Sequence, residues 1–139
     1  MSEYKKQLVE DIRMRSLALG ALADEAFESA YTGKYMAALA CLFILVEQSV
    51  KQANEVLSGN FQEQISVLFK NKHISKRELD ILTNLRSVRN TLFHENHYMY
   101  VIVDKSEKAT MFSEFEAKKD IWNKLSLPSL KVCHRLVTN

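Results

Sequence analysis

Three glycines and a single proline punctuate 139 residues. A chain with so few turn-forming residues cannot supply the many tight reversals of a β-sandwich or barrel. It is suited to long helices joined by short links. With 47% hydrophobic and 26% charged residues it has the composition of one soluble globular domain, long enough to bury a core. The expectation is all-α: an up-and-down bundle of about five helices in a single domain spanning 1–139, with a small β-hairpin inserted after the fourth helix.

Apolar spacing places a first helix from about Glu3 to Ala30, marked by Leu8, Ile12, Leu19, Leu22 and Ala26 and broken at Thr32-Gly33. A second, about Lys34 to Leu57, is apolar nearly all round from Ala37 to Val46. That pattern belongs to a central helix buried on most sides. Ser58-Gly59 ends it. Asn60 caps a short third helix, Phe61 to Lys70, with Glu63 in the reciprocal position. The fourth, Ser75 to about His94, opens on a capping box of Ser75 and Glu78, with Ile74 and Leu79 placed as a hydrophobic staple. The β-branched and aromatic residues of Tyr98 to Val103 and Thr110 to Phe112 predict a hairpin over about 98–112. A last helical region begins near Glu114 and is interrupted or restarted at Pro128, with Phe115 and Trp122 as core residues.

The most informative segment for function is Asn84 to His94. Arg89 carries a permanent cation that can hold a phosphate, and His94 can move protons near neutral pH. Metal-free cleavage of RNA needs those two capacities. At about 100° per residue, Ile81, Leu82, Leu85, Val88, Leu92 and Phe93 occupy a sector about 140° wide, with Arg89 inside it and Arg86 at its edge. Asn90 and His94 share the adjoining polar flank, one turn apart. An arginine on an apolar face needs a counter-charge. Glu47, the acid within the apolar stretch of the second helix, is the candidate. That pair could serve only to fix how two helices pack. Arg89 and His94 lie about 140° apart on an ideal helix. Either the helix unwinds near His94, or two copies build the site across a two-fold axis.

Arg89-Asn90-Thr91-Leu92-Phe93-His94 resembles the R-N-x-x-x-H form of the R-x(4–6)-H signature of the HEPN superfamily. The element order is similar too: an acid-bearing apolar helix precedes the helix that the signature closes. The resemblance covers roughly residues 1–97 and the last helix. It implies a homodimeric, metal-independent endoribonuclease of toxin, defence or RNA-processing type, acting on RNA without a cofactor and restrained by an antitoxin or other regulatory protein. Arg89 and His94 would be catalytic, with Asn90, Glu47 and Arg86 in support. In one toxin branch a tyrosine stands two residues after the histidine; here that position is Asn96. The hairpin is outside the minimal helical core of the family.

His97 could carry a second proton or touch phosphate, or be a solvated residue at a helix end. Tyr98 and Tyr100 could stack on bases or pack on a sheet face. Lys70, Lys72, His73, Lys76 and Arg77 could guide an RNA backbone, or be a polar loop between helices. A net charge of +2 makes any nucleic-acid contact local. Neither the four histidines nor Glu10, Asp11, Asp24 and Glu25 have metal-ligand spacing. Cys41 and Cys133 read as buried reduced thiols. Met1 to Lys6 is polar with no apolar segment behind it, and Met36 to Val46 is too short an apolar run to span a bilayer. The expectation is a cytoplasmic protein without a membrane partner. Two rivals stand beside the nuclease: a non-catalytic HEPN-like domain that binds a nucleotide or regulates a protein, and a helical scaffold in which the signature is accidental.

Overall fold

The computed structural model describes residues 1–54, 59–93, 101–103, 109–111 and 115–139. Among the described residues six helices make the bundle: α1 (Glu3–Arg15), α2 (Leu17–Tyr31), α3 (Tyr35–Ala53), α4 (Phe61–Lys70), α5 (Lys76–Phe93) and α6 (Phe115–Thr138). Between α5 and α6, the backbone of β1 (Val101–Val103) pairs antiparallel with β2 (Ala109–Met111), Ile102 opposite Thr110. The rest of the 98–112 span lies outside the described residues.

α3 is the axis of the fold. α2 and α6 flank most of it, α4 and α5 close the remaining side, and α1 rests on α2 and α6. Leu39, Leu42, Leu45 and Val46 are fully buried there, against Ile12, Leu82, Leu85, Leu92 and Leu130 from other helices. Each buried leucine contributes about 1.5–3 kcal/mol. By length and composition α3 could cross a membrane, yet this apolar surface is used to seat its neighbours.

The expected first helix is two helices. Ser16 leaves the helical region at φ −152°, ψ 113°. Its N–H donates to the Ile12 carbonyl, closing α1, and its Oγ accepts from the Leu19 N–H at 3.2 Å, opening α2. Gly20 allows the corner. A Cβ there would lie 2.6 Å from Arg13 Cβ and 2.7 Å from Arg13 Cα. Arg13 then bridges the two helices by ion pairs to Glu10 and Asp24. The apolar spacing runs through the corner without a break, and so reads as one helix.

α6 also departs from expectation, because it continues through Pro128. A proline in a helix interior costs about 3 kcal/mol. Burial on both sides of it, by Trp122 and Leu125 before and Leu130, Val132 and Cys133 after, holds the helix together. Phe115 opens α6 half-exposed rather than in the core. Cys133 is buried but Cys41 only partly so, and both are free thiols. α3 ends at Ala53, short of the expected Leu57, which lies outside the described residues.

The end of α6 ties distant parts together. Arg135 binds Glu78 at 2.6 and 2.8 Å and donates to the His73 carbonyl at 2.8 Å. His134 meets Asp11 at 2.9 Å. Glu78 meanwhile accepts from the Ser75 N–H at 2.9 Å, and its own N–H reaches Ser75 Oγ at 3.1 Å. One carboxylate therefore caps α5 and anchors α6.

Candidate functional site

Arg89 projects from the last turn of α5 toward α3, where its guanidinium forms an ion pair with Glu47. The apolar residues of α5 explain the placement. Leu82, Leu85 and Leu92 point into the core and Ile81 and Val88 are partly buried, and Arg89 lies inside that sector, in angle between Leu82 and Leu85. Its side chain is 39% exposed and that of Glu47 22%. A guanidinium carries five N–H donors in a planar fork. One carboxylate cannot take them all, and the group remains open to solvent for a phosphate.

Two exposed apolar side chains lie one turn from this ion pair. Ile44 lies one turn before Glu47 on α3, and Phe93 one turn after Arg89 on α5. They are 46% and 50% exposed. The Phe93 ring meets buried Phe43 edge-on, with centroids 5.7 Å apart. The α3–α5 seam therefore carries an apolar step, Ile44 with Phe93, next to the charged one. The apolar pattern puts Phe93 in the apolar sector of α5, where it is half-exposed.

Asn90 sits beside Arg89 on the exposed flank, and Arg86 is partly buried one turn earlier with no ion-pair partner among the described residues. Lys76 and Arg77 are at the opposite end of α5, about 18 Å along the axis from Arg89. Lys76 there pairs with Asp80 at 3.1 Å. These two do not join Arg89 in one cleft of a single chain. Lys70 ends α4, and Lys72 and His73 lie in the α4–α5 connection; all three are exposed, and Lys72 adopts φ 61°. His94, His97 and Tyr98 lie outside the described residues.

Among the described residues no group of three or more His, Cys, Asp or Glu side chains converges to hold a metal ion. Asp11 does have a histidine partner, His134, but it comes from the far end of the chain and no spacing rule reveals it. Its hydrogen bond from His134, joined by one from Gln7, holds the Asp11 carboxyl below its ordinary value. Burial pushes the Cys133 thiol up to about 12, which makes it a packing residue and not a nucleophile.

Models of protein families, characterised proteins and solved structures were all compared with the chain, and none matches.

Proposed function

We propose that the protein is a HEPN-type, metal-independent endoribonuclease that works as a homodimer. The observation that carries this reading is the state of Arg89: oriented by Glu47, yet exposed enough to meet a phosphate. In the reaction, a ribose 2′-OH loses its proton and attacks the adjacent phosphorus. The P–O5′ bond breaks, leaving a 2′,3′-cyclic phosphate and a 5′-OH. His94 serves as the proton carrier and Arg89 stabilises charge on the phosphoryl oxygens. Asn90 supports them from the next position, and Arg86 adds positive potential one turn away.

The dimer forms over the α3–α5 seam in this reading. Ile44 and Phe93 supply apolar contact, and the two-fold axis sets the Arg89 of one copy beside the His94 of the other. The up-and-down order of the helices, the hairpin as an insertion, a cytoplasmic location and a restraining antitoxin or regulator belong to the same proposal. A second reading, a non-catalytic regulatory domain, draws on the same ion pair, because Glu47 neutralises the cation an RNA would seek.

Incubation of the purified protein with total RNA, with and without EDTA, beside an identically prepared His94→Ala variant separates the two. The nuclease gives EDTA-insensitive cleavage that the variant lacks. Equal cleavage by both samples assigns the activity elsewhere, and none by either favours the regulatory domain.

A further inference from the structure

A cleft of about 540 Å³ opens between α1, α2, α3 and α6 and shares no residue with the Arg89 site. That size falls in the range of ligand pockets, roughly 300–1,000 Å³. Its apolar wall is aromatic. Trp122 and Phe27 meet edge-on at 5.0 Å and are both buried. Tyr35 stands partly exposed at the mouth, and Tyr31 is 85% exposed.

The charge lining the cleft decides what it can hold. Two carboxylates, Asp24 and Glu28, face it, and so do Lys5 and the ammonium-bearing Met1. Asp24 is compensated by Arg13. Glu28 has no ion-pair partner among the described residues. Lys5 already lies over the Phe27 ring, with Nζ 5.8 Å from the centroid. The chain's own ammonium thus uses one aromatic face of the cleft. Tyr31, Glu28 and Tyr35, whose ring meets Phe115 edge-on at 5.3 Å, line the rest of the cleft. Aromatic rings attract cations through their quadrupole, and quaternary ammonium groups are recognised by such clusters.

We propose that this cleft is a binding site for an organic ammonium ion, held by Tyr31, Tyr35 and Glu28.

Trp122 is the only tryptophan in the chain, so its fluorescence reports on the cleft directly. The full chain is titrated with tetramethylammonium chloride, against sodium chloride at equal ionic strength and against tert-butanol, its neutral isostere. A saturable change with tetramethylammonium alone is expected. Glu28→Gln and Tyr31→Ala should each weaken it about two- to fivefold. Both positions are exposed, and circular dichroism melts check that the variants fold. Lys5→Gln should tighten the ammonium by removing a like charge. Choline and a short peptide with trimethylated lysine then distinguish a free cation from a protein side chain as the source. No saturation with tetramethylammonium overturns the proposal. So does saturation with adenosine monophosphate that Lys5→Gln weakens.

Discussion

Arg89 on α5 and Glu47 on α3 form an ion pair that is anchored and still accessible, the arginine side chain being 39% exposed and the glutamate 22%. A sealed pair would lose about 3–5 kcal/mol when one partner is removed. A pair this open is screened by water, and its contribution falls to about 1 kcal/mol or less. Glu47→Gln should therefore lower stability by no more than that in a urea titration, with an unchanged slope. The freed guanidinium should bind RNA more tightly, as a fluorescence anisotropy titration would read. A loss of 3 kcal/mol or more would mean that Arg89 is structural and closed to substrate.

The α1–α2 corner predicts a larger effect from a smaller change. Gly20→Ala would place a methyl group 2.6 Å from Arg13 Cβ. Both nearest atoms belong to the rigid part of Arg13, so the helices must separate. Overpacking of this kind costs about 1–3 kcal/mol. Ser16→Ala, which removes only the cap on Leu19, should cost about 1 kcal/mol. Thermal melts of the two variants should rank Gly20→Ala as the less stable, and the reverse order would mean that the corner opens freely.

The contrast between those two sites shows which structure was legible beforehand. Ser75 with Glu78, and Asn60 with the Glu63 N–H at 2.9 Å, are local devices, with partners three residues apart. Glu47 could be matched to Arg89 because it is the acid set within the apolar stretch of α3. The corner at Ser16 could not be read, because Leu8, Ile12, Leu19 and Leu22 keep a helical spacing across it. A serine followed four residues later by glycine was the only signal. Pro128 gave a true local signal that packing on both sides overrides. The Arg135–Glu78 and His134–Asp11 contacts join residues 57 and 123 positions apart. Only the assembled fold brings them together. Sequence spacing also could not tell that Phe93 is half-exposed.

Glu78 makes the fold sensitive to acid. Burial works to raise its pKa, but hydrogen bonds from Arg135 and Ser75 and the Arg135 charge outweigh it and hold the carboxyl below its ordinary value. A group depressed in the folded state adds stability above its unfolded pKa and loses it as pH falls through the folded one. Stability should therefore decline as pH drops below about 4.3, the ordinary glutamate value. Glu78→Gln should be less stable than the parent at pH 7 and lose less on acidification. Urea midpoints at pH 7, 5 and 3.5 check this. Parallel declines for both proteins would place the acid sensitivity elsewhere, with Asp11 the next candidate.

The exposed side chains beside the ion pair give the dimer its test. Ile44 and Phe93 stand 46% and 50% exposed, one turn from it along α3 and α5. Ile44→Asp should convert a dimer to monomer in sedimentation velocity without lowering the melting temperature by more than a few degrees, since Ile44 faces solvent in the single chain. Under the nuclease proposal the monomer is inactive. A monomeric Ile44→Asp protein that still cleaves RNA would mean that one copy holds a complete site.

Arg89→Ala and His94→Ala proteins, each inactive alone under the same proposal, test the two-fold arrangement directly. About 140° separates the two positions on an ideal helix, and in a site shared between copies each Arg89 works with the partner's His94. A mixed dimer then contains one intact pair and one pair lacking both groups. Equal amounts exchanged at random give half mixed dimers, so activity should return to roughly a quarter of the parent level. The mixture is made by brief exposure to mild denaturant and dilution, with the two refolded singly as controls. No recovery in a mixture that sedimentation shows to be dimeric would place Arg89 and His94 of the same copy in one site.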